Sequence, residues 1–315
     1  MYVMKLAPVF KELIWGGTRL KDEWGFETEL GNIAEDWALT CHKQGKSAIV
    51  NGELSGKTLE EIVNDSPEVV GTNAEKFPYF PILIKLIDAK DNLSIQVHPE
   101  NEYALKNEGE FGKTEMWYVV DCSDDAELIY GFKNKISKEE FAQSIQDNTL
   151  LDKLNVVKVK KGDVFFIEAG TVHAIGKNVL IAEIQQNSNT TYRIYDYNRL
   201  GADGKPRELH VKKASDVAVT EPAKYPIAPM GKTEIFDGYD MTLLAECELF
   251  TVKKYDVKSS VTIATDSTSF KSVLVIGGEG KIDGMPFKRG DSFFIPASFG
   301  DAKVEGECEI IVTNI

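Results

Sequence analysis

The chain has 315 residues and a formal net charge of -14. That length can bury one large or two medium cores without disulfide help, and the charge repels polyanions, which excludes nucleic acid as a partner. No apolar run approaches the roughly 18 residues needed to span a bilayer. Lys5 and Lys11 interrupt the apolar N-terminus, so neither a membrane partner nor a signal peptide is expected and the protein is placed in the cytoplasm. A small phosphorylated ligand stays allowed, because a few cations inside a pocket outweigh a screened total charge.

In chain order, a short helix is expected over 59–64, opened by Thr58 and Glu61 in capping-box spacing. Short strands follow from Tyr79 to Ile87, Leu93 to His98, Glu115 to Val120, Asp163 to Ile167 and Val179 to Ile184, each bounded by Gly, Asp, Asn or Pro. One helical insertion interrupts them, from Ser137 to Leu154, with Ser137 and Glu140 at its start and Phe141, Ile145, Leu150 and Leu154 on one face. Cys41, Cys122, Cys247 and Cys308 lie far apart with no CxxC pair, which reads as scattered reduced thiols rather than a zinc knuckle or redox dithiol.

An internal repeat organises the chain. The segment from Lys160, KKGDVFFIEAG, overlays KRGDSFFIPAS from Lys288 without a gap, so Gly162-Asp163 falls on Gly290-Asp291 and Phe165-Phe166-Ile167 on Phe293-Phe294-Ile295. Two β-domains of one type are expected: a mostly β protein with two cupin-like jelly-roll barrels and a small helical insertion. The boundary falls in the proline-rich stretch Glu221 to Met230, giving a catalytic domain over 1–225 and a degenerate one over 226–315. Asp301 stands where the first copy has His173, and no histidine follows His210, so the second domain is expected to lack a metal.

Only four histidines occur: His42, His98, His173 and His210. Gln96 and His98 are two apart on a strand and point to one face. Lys113, Glu115 and Trp117 share a face by the same rule, and His173 follows a Gly-Thr-Val turn in a loop after the third strand. Taken singly, a strand Gln or Glu is usually a solvated residue. As a set at one barrel mouth, Gln96, His98, Glu115 and His173 suit Zn²⁺ in an open, catalytic mode.

The runs LSIQVHPE from Leu93, GKTEMWY from Gly112, GTVHAI from Gly170 and EIQQNSNTTYR from Glu183, with WGG at Trp15 and IAEDW at Ile33, closely resemble type I mannose-6-phosphate isomerase in its short bacterial branch. The resemblance covers most of the chain. It implies one zinc held by Gln96, His98, Glu115 and His173, a catalytic Arg193, and Lys85, Ser94 and Lys113 on the phosphate side of the pocket. The implied reaction interconverts mannose 6-phosphate and fructose 6-phosphate through a cis-enediolate. The proton-transfer base is open among Glu183, Lys113 and zinc-bound hydroxide, with Glu183 preferred provided burial raises its pKa. Otherwise Glu183 orients a zinc-bound His. Competing readings are an iron-dependent cupin oxygenase, an isomerase of another phosphosugar, or a sugar-phosphate-binding sensor. A monomer or homodimer is expected.

Overall fold

The computed structural model describes residues 1–201 and 204–315. The protein is mostly β. A six-stranded antiparallel sheet runs in the order Val164–Ile167, Glu115–Cys122, Val179–Gln186, Ile82–Ala89, Glu35–Leu39 and Val9–Lys11. Every residue of Ile82–Ala89 and Val179–Gln186 is buried, because this sheet is covered on both faces. Near-continuous apolar runs suit such strands better than strict alternation does.

One face packs Ile87, Trp117, Val119, Phe165 and Ile181 against Leu128, Tyr130 and Ile175. The latter belong to a five-stranded sheet and its edge, ordered Leu154–Lys158, Glu127–Phe132, His173–Ala174, Ile95–Val97 and Tyr192–Tyr195. The opposite face packs Ile84, Leu86, Met116, Tyr118 and Ala182 against Leu274, Ile276, Phe294 and Ile311 of a nine-stranded C-terminal sheet. The N-terminal strand Met4–Leu6 pairs with Ser292–Ile295 of that sheet, so the first strand of the chain completes its last sheet.

The repeat reappears as matching turn geometry. Gly162 and Gly290 both take positive φ, 92° and 94°, which L side chains rarely adopt. The Asp163 carboxylate accepts from the Lys160 amide at 3.0 Å, and Asp291 accepts from Lys288 at 2.9 Å. Both copies thus close one turn with one device.

The helix over Leu59–Asp65 carries the full capping box between Thr58 and Glu61. The expected helix from Ser137 to Leu154 is instead two helices. Lys138–Gln146 is capped by Ser137, whose hydroxyl accepts from the Glu140 amide at 3.0 Å. Asn148 then turns left-handed at φ 56°, a conformation Asn tolerates. A turn at Leu150–Lys153 follows, and Leu154 already begins a strand. All four cysteines are free. Among the described residues, no helix is long and apolar enough to cross a membrane.

One buried group conflicts with its surroundings. Asp36 pairs across strands with Phe10 and Leu86, so it points into the apolar layer between the six-stranded and C-terminal sheets. It is fully buried, and neither carboxyl oxygen has a hydrogen-bond partner. Burial pushes its pKa well above the usual carboxylate range. A folded pKa above the unfolded value contributes stability that is present below about pH 4 and lost as pH rises. Asp36→Asn should therefore raise the melting temperature over wild type at pH 8, with the gap closing toward pH 4. Melts at the two pH values check this; a gap that is the same at both contradicts it.

Candidate metal centre and active-site pocket

Two rows of cross-strand partners face each other at one end of the space between the five- and six-stranded sheets. On the six-stranded sheet the row is Trp37, Lys85, Glu183, Trp117 and Phe165, each in register with the next. On the five-stranded sheet it is Arg193, Gln96, His173 and Tyr130. Directly opposed residues project from the same face. The register therefore gathers side chains from Trp37 to Arg193, far apart in the sequence. The rows meet where the Trp117 and His173 rings pack edge to face, 5.3 Å between centroids.

His98 and Glu115 join the meeting point, and the electrostatics there are unusual. His98 Nδ1 faces the Thr190 carbonyl at 3.0 Å, and His173 Nδ1 faces the Thr171 carbonyl at 2.8 Å. A carbonyl can only accept, so each Nδ1 carries the hydrogen and each Nε2 keeps a lone pair. Those two Nε2 atoms are 3.1 Å apart, and Glu115 oxygens lie 3.6 Å and 3.4 Å from them. Glu115 Oε2 is ion-paired with the Lys113 ammonium at 2.9 Å, and Oε1 has no hydrogen-bond partner. Burial holds His98 well below, and His173 at about 4 against, the ordinary imidazole value. Both imidazoles are thus neutral and cannot supply the missing donors. Burial pushes Glu115 up to about 7 against the pull of Lys113.

His98, Glu115 and His173 bring one ligand atom each to within 4.8 Å of one another. Neutral imidazole nitrogens held by Nδ1–H bonds to backbone carbonyls, together with a buried carboxylate, are the donor set a divalent cation takes. Gln96 stands beside them, its amide nitrogen 3.4 Å from His173 Nε2.

The neighbouring cavity, about 590 Å³, is lined by Trp37, Lys85, Ser94, Gln96, Lys113, Glu183, Arg193 and Arg207 among others. A larger cavity of about 820 Å³ lies beyond Glu110, against Tyr79 and Phe80. The smaller one is the active-site candidate, because Gln96 and Lys113, which stand against the metal donors, line it and not the larger one. Glu183 accepts from the Trp117 indole at 3.0 Å and pairs with Lys85 at 3.1 Å. Lys85 also faces Glu35 at 3.4 Å, whose carboxylate takes the Trp37 indole hydrogen at 2.6 Å. At the other end Asp196 pairs with both Arg199 and Arg207, and Arg193 donates to the Glu208 carbonyl at 3.0 Å while its buried Nε has no partner.

Models of the phosphomannose isomerase type I catalytic domain and the mannose-6-phosphate isomerase cupin domain match residues 3–145 and 240–315. The mannose-6-phosphate isomerase ManA of Bacillus subtilis (strain 168) is 43% identical over 98% of this chain and 97% of its own. The chain belongs to the type I phosphomannose isomerase family. Mannose-6-phosphate isomerase from Streptococcus mutans is 38% identical over 96% of this chain and 94% of that protein. The crystal structure of mannose 6-phosphate isomerase from Bacillus subtilis superposes with a TM-score of 0.93 at 40% identity, covering all of both chains.

The structure brings Gln96, His98, Glu115, His173, Lys85, Ser94, Lys113, Glu183 and Arg193 to one pocket and its metal corner. Two details differ from expectation. His173 lies in the two-residue strand His173–Ala174 rather than in a loop. Glu183 does not orient a histidine, and its pKa is not raised: burial alone would raise it, but Lys113, Lys85 and the Trp117 indole bring it down to about 2. Sequence reasoning assigned nothing to Glu35, Arg199 or Arg207; only the IAEDW run hinted at the first. Alanine at His98, Glu115 or His173 should remove tight metal binding, measured by chelator competition. Gln96→Ala should weaken it less, since its amide turns nitrogen rather than oxygen toward His173. Equal loss at all four positions contradicts that order.

Proposed function

We propose that this family member interconverts mannose 6-phosphate and fructose 6-phosphate, with one zinc per chain held by His98, Glu115, His173 and Gln96. The observation that carries the metal is the buried convergence of two Nε2 lone pairs and the Glu115 carboxylate. When bound, zinc supplies Lewis acidity to the substrate's carbonyl end.

The protein's own groups divide the remaining work. Three carboxylates, Glu35, Glu115 and Glu183, surround Lys85 and Lys113, whereas at the other end Arg199 and Arg207 share Asp196 and Arg193 stands beside them on the Glu208 carbonyl. The excess of positive charge at the arginine side supports seating the phosphate toward Ser94, with Arg207 reinforcing it. Lys85 and Lys113, each held by a carboxylate, donate to sugar oxygens between the phosphate and the metal corner. Arg193 presents its donor fork to the oxyanion that develops as C2 loses its proton. Glu183 is the ionised carboxylate on the pocket wall and takes that proton, returning it to C1 of the cis-enediolate while the hydroxyl proton of O2 passes to O1, which leaves a C2 ketone and a C1 hydroxyl. Its lowered pKa keeps it fully in the base form at neutral pH, at some loss of driving force.

We also propose two cupin units divided between 225 and 226, the second metal-free. Asp301 in place of the aligned histidine supports this, as does the absence of histidine from 231 to 315.

A coupled assay of fructose 6-phosphate formation, with and without chelator, tests the reaction. Activity surviving verified metal removal contradicts it. Glu183→Gln should lower turnover by about 10²-fold or more and abolish exchange of the C2 hydrogen with solvent deuterium, with zinc content unchanged. A change in KM alone would make Glu183 a holder of the lysines. Arg193→Lys, which keeps charge but loses the planar fork, should lower kcat with melting unchanged; wild-type kcat would remove Arg193 from the reaction.

A further inference from the structure

Glu110 stands between the active-site cavity and the larger cavity behind it, outside the donor set. Its carboxylate ties three segments together. One oxygen accepts from the Asn189 amide at 3.3 Å and the Thr190 hydroxyl at 3.4 Å. The other lies 2.5 Å from Lys43 Nζ and 3.5 Å from His42 Nε2. Thr190 is the residue whose carbonyl takes the Nδ1 hydrogen of His98. Asn189 donates its side-chain amide to Gln44 at 2.6 Å, and both line the substrate cavity. Two residues earlier, Glu108 accepts from the Tyr192 hydroxyl at 2.8 Å. The stretch 108–110 thus straps the 189–192 backbone from outside.

We infer that Glu110 is a positioning residue for the metal centre: by fixing Asn189 and Thr190 it sets the carbonyl that orients the His98 ring and selects its tautomer. The inference rests on the metal reading above and extends it one step outward, to a carboxylate that touches no ligand. The His98 ring has no second anchor for its Nδ1, and in a neutral imidazole the bond made by one nitrogen decides which lone pair the other presents. If the Thr190 carbonyl drifts, His98 loses both its aim and its preference for the Nε2 lone pair. Removing outer partners of metal-bound histidines typically weakens metal affinity by about 10–100-fold.

Zinc dissociation constants, measured on the full chain by competition with a chromophoric chelator, test this without recourse to turnover. Glu110→Ala should weaken zinc by about 10-fold or more, with the metal-free melting temperature recorded alongside. Glu110→Gln, which keeps an acceptor oxygen for Asn189 and Thr190, should recover most of the loss. Lys43→Ala removes the ion pair but not the strap, and should bind zinc as wild type does. If Glu110→Ala does not fold, Thr190→Val removes only the hydroxyl contact and should shift affinity in the same direction by less. A wild-type chain that takes no zinc defeats the metal reading itself. A wild type that binds, with Glu110→Ala and Thr190→Val binding equally well, overturns the positioning role, as does a Glu110→Gln variant as impaired as Glu110→Ala.

Discussion

Two neutral imidazoles and a carboxylate are buried together with their lone pairs converging, offset by the Lys113 ammonium 2.9 Å from Glu115 and the Gln96 amide 3.4 Å from His173. Burying a polar group without a partner costs roughly 2–7 kcal/mol, and the low local dielectric sharpens the repulsion. Such a cluster persists only where surrounding structure over-determines it. Here His98 and His173 are each pinned from behind by a backbone carbonyl, while Glu115 is fixed on a strand whose neighbours are buried on both faces. The apolar layers on the two sides of the six-stranded sheet carry that burden. Under the proposed zinc site the fold would precede the metal, unlike a zinc finger, which is unfolded without it.

The same economy of register governs the rest of the pocket. Lys85, Glu183 and Trp117 are adjacent in one row, so their side chains meet without any loop having to position them. Two lysines and an indole N–H outweigh the desolvation of Glu183 and leave it ionised. Glu115, where burial and the nearby Glu183 charge outweigh Lys113, goes the other way. Two buried carboxylates on one sheet are thus driven apart in acidity by their surroundings.

Much of this was legible in the sequence where it depends on local spacing. The Gln96–His98 and Lys113–Glu115–Trp117 patterns need only the two-residue strand period, and the Gly-Asp turns of the repeat need only a glycine that can take positive φ and an aspartate to close the turn. What depends on pairing register was hidden, since nothing local says that Glu183 lies between Lys85 and Trp117, or that Met4–Leu6 joins the last sheet. Backbone acceptors have no residue signature, so the carbonyls of Thr190 and Thr171 were invisible, and with them the reason Glu183 is not needed to orient a histidine. The helix break at Asn148 was missed because the apolar spacing continues across it through Leu150 and Leu154, while a single left-handed residue redirects the chain. Asp196, Arg199 and Arg207 come from an irregular stretch with no period to read.

Anomalous diffraction at the zinc edge, from crystals of the zinc-loaded chain, tests the central claim most directly. The account predicts one strong peak per chain, about 2.0–2.2 Å from His98 Nε2, His173 Nε2 and a Glu115 oxygen, with none in the C-terminal half. A peak placed elsewhere, or an active chain with no peak between those three residues, would contradict it.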